Sequence, residues 1–277
     1  MDNLWLHRFC VAVAICTLFL VVAGASVTSN EAGLSVPDWP LSYGKVMPPM
    51  TGGIFYEHGH RMVASTVGFL TIILAALGMV VLQGVLGGLT VLFLLPKGVS
   101  IAHACLAELF FSTTVLMAIF TSPAWRRGPV PVLDSGTPSV RSLAVLTPVC
   151  VLGQVALGAA FRHRLLTVMP HVIGALAVSG VVVYFTIAAL AEFKSHAALR
   201  KSAKMLLHCT LLQVVLGIAA YLSRISNSES VQPMPVMVAF TVAHVAVGAM
   251  VMAASVALAV QVRRNVQAVP REAHQAA

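Results

Sequence analysis

Seven apolar blocks divide the chain: residues 9–25, 62–95, 103–120, 142–161, 171–191, 205–222 and 236–262. A membrane-crossing helix needs about 20 apolar residues, because each rises about 1.5 Å across a hydrocarbon core of about 30 Å. Six blocks fit one crossing each. The second, with 34 residues, would run about 51 Å as a single helix. It reads as two short spans with a tight reversal near Ala76-Leu77-Gly78. The expected fold is therefore all-α and integral to a membrane, with eight transmembrane helices. Composition agrees: 58% of the residues are hydrophobic and 9% charged, where a soluble domain carries about 25% charged.

Basic residues fix the expected topology. With eight spans and the N-terminus inside, Arg8, Arg126, Arg127, Arg141, Lys194, Arg200, Lys201, Lys204, Arg263, Arg264 and Arg271 are internal. Lys45, Arg61, Lys97, Arg162, Arg164 and Arg224 are external. A single crossing over 62–95 would move Arg126, Arg127 and Arg141 outside and blur the positive-inside bias. The expectation is a multi-pass protein of the inner (cytoplasmic) membrane with both termini cytoplasmic. The net charge of +8 then belongs to loops facing lipid headgroups, and no basic run is dense enough to track a nucleic acid. The apolar run after His7 and Arg8 is longer than a usual signal-peptide core and reads as a retained first span. Cys10, Cys16, Cys105, Cys150 and Cys209 lie in or beside apolar blocks without a C-x-x-C pair. They read as small buried hydrophobes.

The apolar blocks repeat. Gln83-x-x-x-Gly87-Gly88 precedes a span carrying His103, Gln154-x-x-x-Gly158 one carrying His171, and Gln213-x-x-x-Gly217 one carrying His244. With the first span and His60, a connector helix followed by a His-bearing helix recurs four times. This gives two tandem pseudo-repeated four-helix bundles: an N-terminal unit over 1–123 and a C-terminal unit over 142–265. A cytoplasmic linker over 124–141 joins them and a cytoplasmic tail covers 266–277. His171 to Gln213 spans 42 positions but His60 to Gln83 only 23, so the first unit has lost about a loop and a helical turn or more.

A polar side chain within a span is costly and usually functional. One histidine is explained by an interhelical hydrogen bond; four at matching repeat positions are not. Two imidazoles from opposite helices can hold a haem iron, with the bundle supplying an apolar slot. The pairs are His60 with His103 and His171 with His244. His58, two residues away, is the alternative to His60. His7, His163, His196, His208 and His274 fall in loops, at helix ends or in the tail. Arg61, Arg162, Arg164 and Arg224 are candidate partners for haem propionates, or plain loop charges. Glu57 precedes His60 by three residues and shares its helix face. It could act as a base or stabilise developing positive charge, or simply favour a helix N-terminus. Glu108, within the fourth span, is a buried polar partner or a proton relay.

The stretch between the first two spans narrows the reading. Ala-Gly-Leu-Ser-Val-Pro-Asp-Trp-Pro-Leu-Ser-Tyr-Gly at 32–44, then Met47-Pro-Pro and Glu57-x-x-His60-Arg61, resembles the first outer loop and second span of the haem A synthase family. Gln83-Gly-Val-Leu-Gly-Gly-Leu-Thr90 with His103, and the Gln154, Gln213, His171 and His244 repeats, resemble it too. The resemblance implies an eight-span oxidoreductase. It acts on the position-8 methyl group of haem O, giving the formyl group of haem A for terminal cytochrome oxidase. The oxygen comes from water through successive hydroxylations, and the electrons go to an external acceptor. Carried over by motif, His60 and His103 face the substrate haem O and Glu57 is the catalytic carboxylate. His171 and His244 hold a haem b cofactor. Implied partners are haem O synthase, cytochrome oxidase assembly factors and a second copy of the chain. This chain lacks the cysteine pair some members carry in the first outer loop, and the charged inner loop usual between His60 and Gln83. Two other readings fit the bundles: a di-haem b membrane electron carrier without chemistry on the haem, and a haem-free transporter or assembly scaffold.

Overall fold

The computed structural model describes residues 3–72, 77–134, 136–226 and 233–268. Its helices are α1 (Leu4–Ser29), α2 (Gly53–Ile72), α3 (Leu77–Leu92), α4 (Lys97–Phe120), the single turn α5 (Pro123–Arg126), α6 (Val140–Arg162), α7 (Val168–Glu192), α8 (Ala197–Ser226) and α9 (Pro235–Asn265). Two three-residue strands, β1 (Val132–Asp134) and β2 (Val266–Ala268), complete it. Among the described residues the fold is all-α apart from these, and six helices, α1, α4, α6, α7, α8 and α9, are long and apolar enough to cross a membrane. Where eight spans are expected, α2 and α3 fall short of that measure. The first turns of α2 carry Glu57, His58, His60 and Arg61, and α3 has 16 residues, about 24 Å.

Side-chain chemistry sets the helix ends. Asn3 accepts from the Leu6 amide at 3.0 Å, and Ser139 accepts from Ser142. Each leaves one fewer orphan amide at a helix start. Inside the helices, Thr17, Thr71, Thr147, Thr186 and Thr210 donate to carbonyls four residues back. A hydroxyl satisfied by its own helix needs no water, which an apolar surrounding cannot supply. Phe19, Phe69 and Leu176 point outward and exposed, as on a helix surface that meets lipid.

The 62–95 block is two helices. Val67 of α2 packs with Met79 and Val80 of α3. Of the expected reversal at Ala76-Leu77-Gly78, Leu77 and Gly78 already belong to α3, and Ala76 lies outside the described residues. Helix packing follows one pattern twice: α1 with α2, α2 with α3, α3 with α4 and α4 with α1, then α6 with α7, α7 with α8, α8 with α9 and α9 with α6. The two rings meet where α9 lies against α1 and α4, and α4 against α6. The core is uneven. Val182, Phe185, Leu199, Leu206 and Leu258 anchor a continuous cluster among α6–α9, whereas Val67 and Phe110 anchor a small one among α1–α4.

Within the described residues the shortening of the first ring shows in its helices. Helix α7 runs 21 residues past His171, but α2 only 12 past His60. Helix α8 begins 16 residues before Gln213, but α3 only 6 before Gln83. Both losses fall at the ends away from the histidines, so the register of the histidine-bearing ends is intact.

One feature of the linker was not expected. β1 pairs in parallel with β2, Val132 opposite Val266 and Asp134 opposite Ala268. The Val130 amide donates to Asn265 Oδ1 at 2.9 Å, and Arg141 donates to the Val266 carbonyl. Arg264 stacks on Trp125 at 3.7 Å. The segment between the two rings is thereby fastened to the end of α9. Arg271 and His274 lie outside the described residues. All five cysteines are free, with Cys10 and Cys209 buried.

Candidate functional site

The four repeat histidines occupy one kind of place. Each imidazole rests against a glycine of the preceding helix. A Cβ built on Gly24 would lie 3.1 Å from His60 Cε1; on Gly87, 3.2 Å from His103; on Gly158, 2.9 Å from His171; on Gly217, 2.9 Å from His244. At Gly158 and Gly217 a side chain would force the ring to shift, and at Gly24 and Gly87 the ring would have to give by a few tenths of an ångström, so the glycine is what lets each ring pack this closely. His58 does not sit this way: it is buried toward the outer loop, with Nδ1 2.8 Å from Ser42 Oγ. His60 is thus the geometric equivalent of the other three.

Glutamines one turn before three of these glycines reach the same rings. Gln154 Nε2 lies 2.9 Å from His171 Nδ1 and donates to the His171 carbonyl at 2.8 Å. Gln213 Nε2 is 3.3 Å from His244 Nε2, while His244 Nδ1 is 3.2 Å from the Gln213 carbonyl. Gln83 Nε2 is 3.4 Å from His103 Nε2 and 3.2 Å from its carbonyl. The equivalent residue before Gly24 is Leu20.

Two observations test whether such histidines suit a metal-bearing macrocycle. The His171 and His244 ring centres are 6.3 Å apart. Two imidazoles on one ion, each about 2 Å from it, have ring centres roughly 6–6.5 Å apart. In the other ring, His60 Nδ1 and His103 Nδ1 are buried without hydrogen-bond partners, which is unusual for buried polar atoms. The residues therefore fit a group held by two histidines. Among the described residues no three metal-ligating side chains converge, so a protein-only metal cage does not fit.

Glu57 and Arg61 form a buried clamp under the outer loop. Glu57, 4% exposed, bonds Arg61 Nη2 at 2.6 Å through Oε1 and accepts from the Val36 amide at 2.9 Å through Oε2. Arg61 also donates to the carbonyls of Asp38 at 2.7 Å, Leu41 at 2.8 Å and Val36 at 3.3 Å. These bonds engage Arg61 with the loop. The carboxylate is a fixed anion with one lone-pair direction on each oxygen occupied, an arrangement suited to electrostatic stabilisation. The rest of the loop folds over the same ring. Asp38 accepts from the Tyr43 and Gly44 amides, and Tyr43 donates to the Ser35 carbonyl at 2.7 Å. The Gly44 amide, first, and then the Tyr43 amide and nearby Arg61 hold the Asp38 carboxyl below its usual range. Trp39 lies on Gly88, where a Cβ would be 2.9 Å from the indole. Adjacent glycines of α3 thus serve two neighbours, Gly87 for His103 and Gly88 for the loop.

The other named residues are placed as follows. Arg162 donates to Ser29 Oγ at 2.9 Å, Arg224 stacks on Phe161 at 5.4 Å, and the Arg164 carbonyl accepts from Lys97 at 2.9 Å. The Arg162 and Lys97 contacts tie the two rings together at the histidine end, while the Arg224 contact lies within the second. His163 is held below its usual value by burial and by the Arg162 charge. Glu108 is buried with Oε2 unpartnered, near His103 on α4. His7, His196 and His208 bond backbone carbonyls of Ala118, Val130 and Lys204. Sequence reasoning did not reach Ser42, Trp39, Gly24 or Leu20. Only the loop motif, which contains the first two, signalled any of them.

No protein-family model matches the chain. Over 68 residues it is 37% identical to a protein named Protoheme IX farnesyltransferase from Haloarcula marismortui, covering 24% of this chain and 14% of that one. Over 192 residues it is 25% identical to a protein named Heme A synthase from Shewanella oneidensis, covering 57% of this chain and 56% of that one. The chain thus spans about half the length of the second relative and far less of the first. It is a multi-pass membrane protein with a distant similarity to a haem A synthase.

Proposed function

We propose that this chain is a haem A synthase: a membrane oxidoreductase that converts the position-8 methyl group of haem O into the formyl group of haem A. The observation that carries the reading is the fourfold glycine–histidine packing, paired across each ring, beside one buried carboxylate. The conversion takes one oxygen atom from water and releases four electrons and four protons, which pass to an external electron acceptor. His60 and His103 bind the substrate haem O in the ring α1–α4. His171 and His244 would hold a haem b in the ring α6–α9, and a haem bound there would supply one-electron chemistry. Glu57, fixed by Arg61 and the Val36 amide, presents negative charge next to the His60 turn and stabilises positive charge developing on the substrate. The outer loop, seated on Gly88 and Arg61, shields that charge from water and so strengthens it. Arg162, Arg164 and Arg224 lie at the histidine end, where propionates would reach loop cations. The protein resides in the cytoplasmic membrane with both termini inside, beside haem O synthase and oxidase assembly factors.

The test is haem extraction and chromatography from membranes of cells that make haem O, with and without this chain. Haem A and its hydroxylated intermediate are expected with it. Glu57→Gln keeps an acceptor for the Val36 amide while removing the charge. It should leave bound haem unchanged and lower haem A yield by about a hundredfold or more. Normal yield in Glu57→Gln would remove the assigned role. Bound haem b with haem O untouched would favour the electron carrier instead.

A further inference from the structure

We propose that the cleft between the start of α6 and the end of α9 binds one phospholipid whose phosphate headgroup carries a net negative charge. Arg141, Ser142 and Val145 of α6 and Arg263 of α9 line a cavity of about 460 Å³ there. That is within the range of about 300–1,000 Å³ usual for small-molecule sites. The cleft is remote from the histidines: Arg141 stands 17 positions before Gly158, about 25 Å along α6.

The two arginines offer their charge in different ways. Arg141 is set by both strands of the clasp. Its amide donates to Asp134 Oδ2 of β1 at 3.2 Å, and its guanidinium donates to the Val266 carbonyl of β2. A side chain ordered beforehand loses little freedom when a ligand arrives. Arg263 is exposed, and among the described residues it neither donates a hydrogen bond nor pairs with a carboxylate. Asp134, the carboxylate beside Arg141, is engaged by the Gly136 and Arg141 amides. The Ser142 amide goes to Ser139 Oγ. A ligand therefore meets side chains, two guanidiniums and the Ser142 hydroxyl, rather than the amides of the helix start. Guanidinium is weakly hydrated and matches phosphate oxygens two at a time.

The apolar side of the cleft selects an amphiphile over a free anion. Val145 lines it one turn past Arg141, and Val149 follows one turn further on; both are exposed. Positions four apart share a helix face, so an acyl chain can run from the headgroup along these valines into the bilayer. Basic pockets between spans at a membrane surface suit anionic headgroups. A zwitterionic headgroup would set its ammonium beside two guanidiniums, a like-charge penalty that favours the anionic lipid.

The test takes the full-length protein in detergent, stripped of lipid, and counts bound lipid by native mass spectrometry during titration with phosphatidylglycerol or phosphatidylcholine. One phosphatidylglycerol per chain should bind about tenfold or more tightly than phosphatidylcholine. Arg263→Gln has no described bond to lose and should weaken phosphatidylglycerol about fivefold. Lys201→Gln removes an exposed charge of α8 at the same end, where His196 meets the Val130 carbonyl, and should leave the affinity unchanged. Arg141→Gln repeats the test from the other helix if Arg263→Gln does not assemble. Equal affinity for the two lipids, equal losses in Arg263→Gln and Lys201→Gln, or displacement of the lipid by excess inorganic phosphate would overturn the proposal. None of these outcomes depends on the haem reading.

Discussion

At Gly158 the distance of 2.9 Å between a built Cβ and His171 Cε1 leaves no room for a methyl group. Nothing lies within 4 Å of a Cβ on Gly153, in the same helix. Gly→Ala in a helix interior gains up to about 1 kcal/mol from propensity alone. Gly153→Ala should therefore raise the thermal midpoint slightly. Gly158→Ala should displace His171 and lose most of the bound haem of the second ring, read as Soret absorbance per protein. Equal haem content in the two variants would remove the packing argument. Three of these glycines were legible, since each follows a glutamine by four residues. Gly24 was not, because Leu20 breaks that pattern and the glycine-to-histidine spacing is irregular, 36 residues for Gly24 to His60 against 13 for Gly158 to His171. The chain sets no fixed spacing because the contact is between two helices, whatever the length of the loop joining them.

The outer loop reaches the first ring at two places, the start of α2 and Gly88 of α3, and its hydrogen bonds run to the first. Removing the guanidinium in Arg61→Ala would strip donors from the Val36, Asp38 and Leu41 carbonyls and leave Glu57 buried without its partner. Breaking a buried pair costs about 3 kcal/mol or more, so the thermal midpoint should fall by roughly 6–12 °C, measured by tryptophan fluorescence. Asp38 adds a pH dependence. Its carboxyl is held below the ordinary value of 3.8, so its contribution is complete above that value and is lost as pH falls through the lower folded one. Proteolysis of the loop should stay constant from neutral pH down to about pH 5, and Asp38→Ala should accelerate it at every pH in that range. The loop motif was legible as a specific string but not as a clamp, because its bonds run to backbone carbonyls and amides that any residue carries. The shortening of α2 and α3 was legible in amount, while the segment that joins them, residues 73–76, lies outside the described residues. Counting between motifs cannot tell a lost loop from lost helical turns.

Arg61, Lys97, Arg162 and Arg164 lie at the end that holds the outer loop, while Arg141 and Arg264 lie at the other, beside the β1–β2 ladder and Trp125. The proposed topology puts the first end outside the membrane and the second inside. Lys45→Cys and Arg127→Cys, on a background with the five native cysteines replaced, should react with an impermeant maleimide from opposite faces of the membrane. Labelling from the same face would rule out this topology. The fold class was legible because apolar length and charge bias are summed over many residues. The β1–β2 ladder was not, because six residues without alternation carry no strand signal. That ladder also sets an order of events. β1 leaves the ribosome when only the first ring has been made, and its partner follows about 130 residues later, roughly 7–26 s at ordinary elongation rates. Throughout that interval the first ring must persist in the bilayer beside an unpaired strand, and the last stretch of described chain to be translated is the one that closes the clasp.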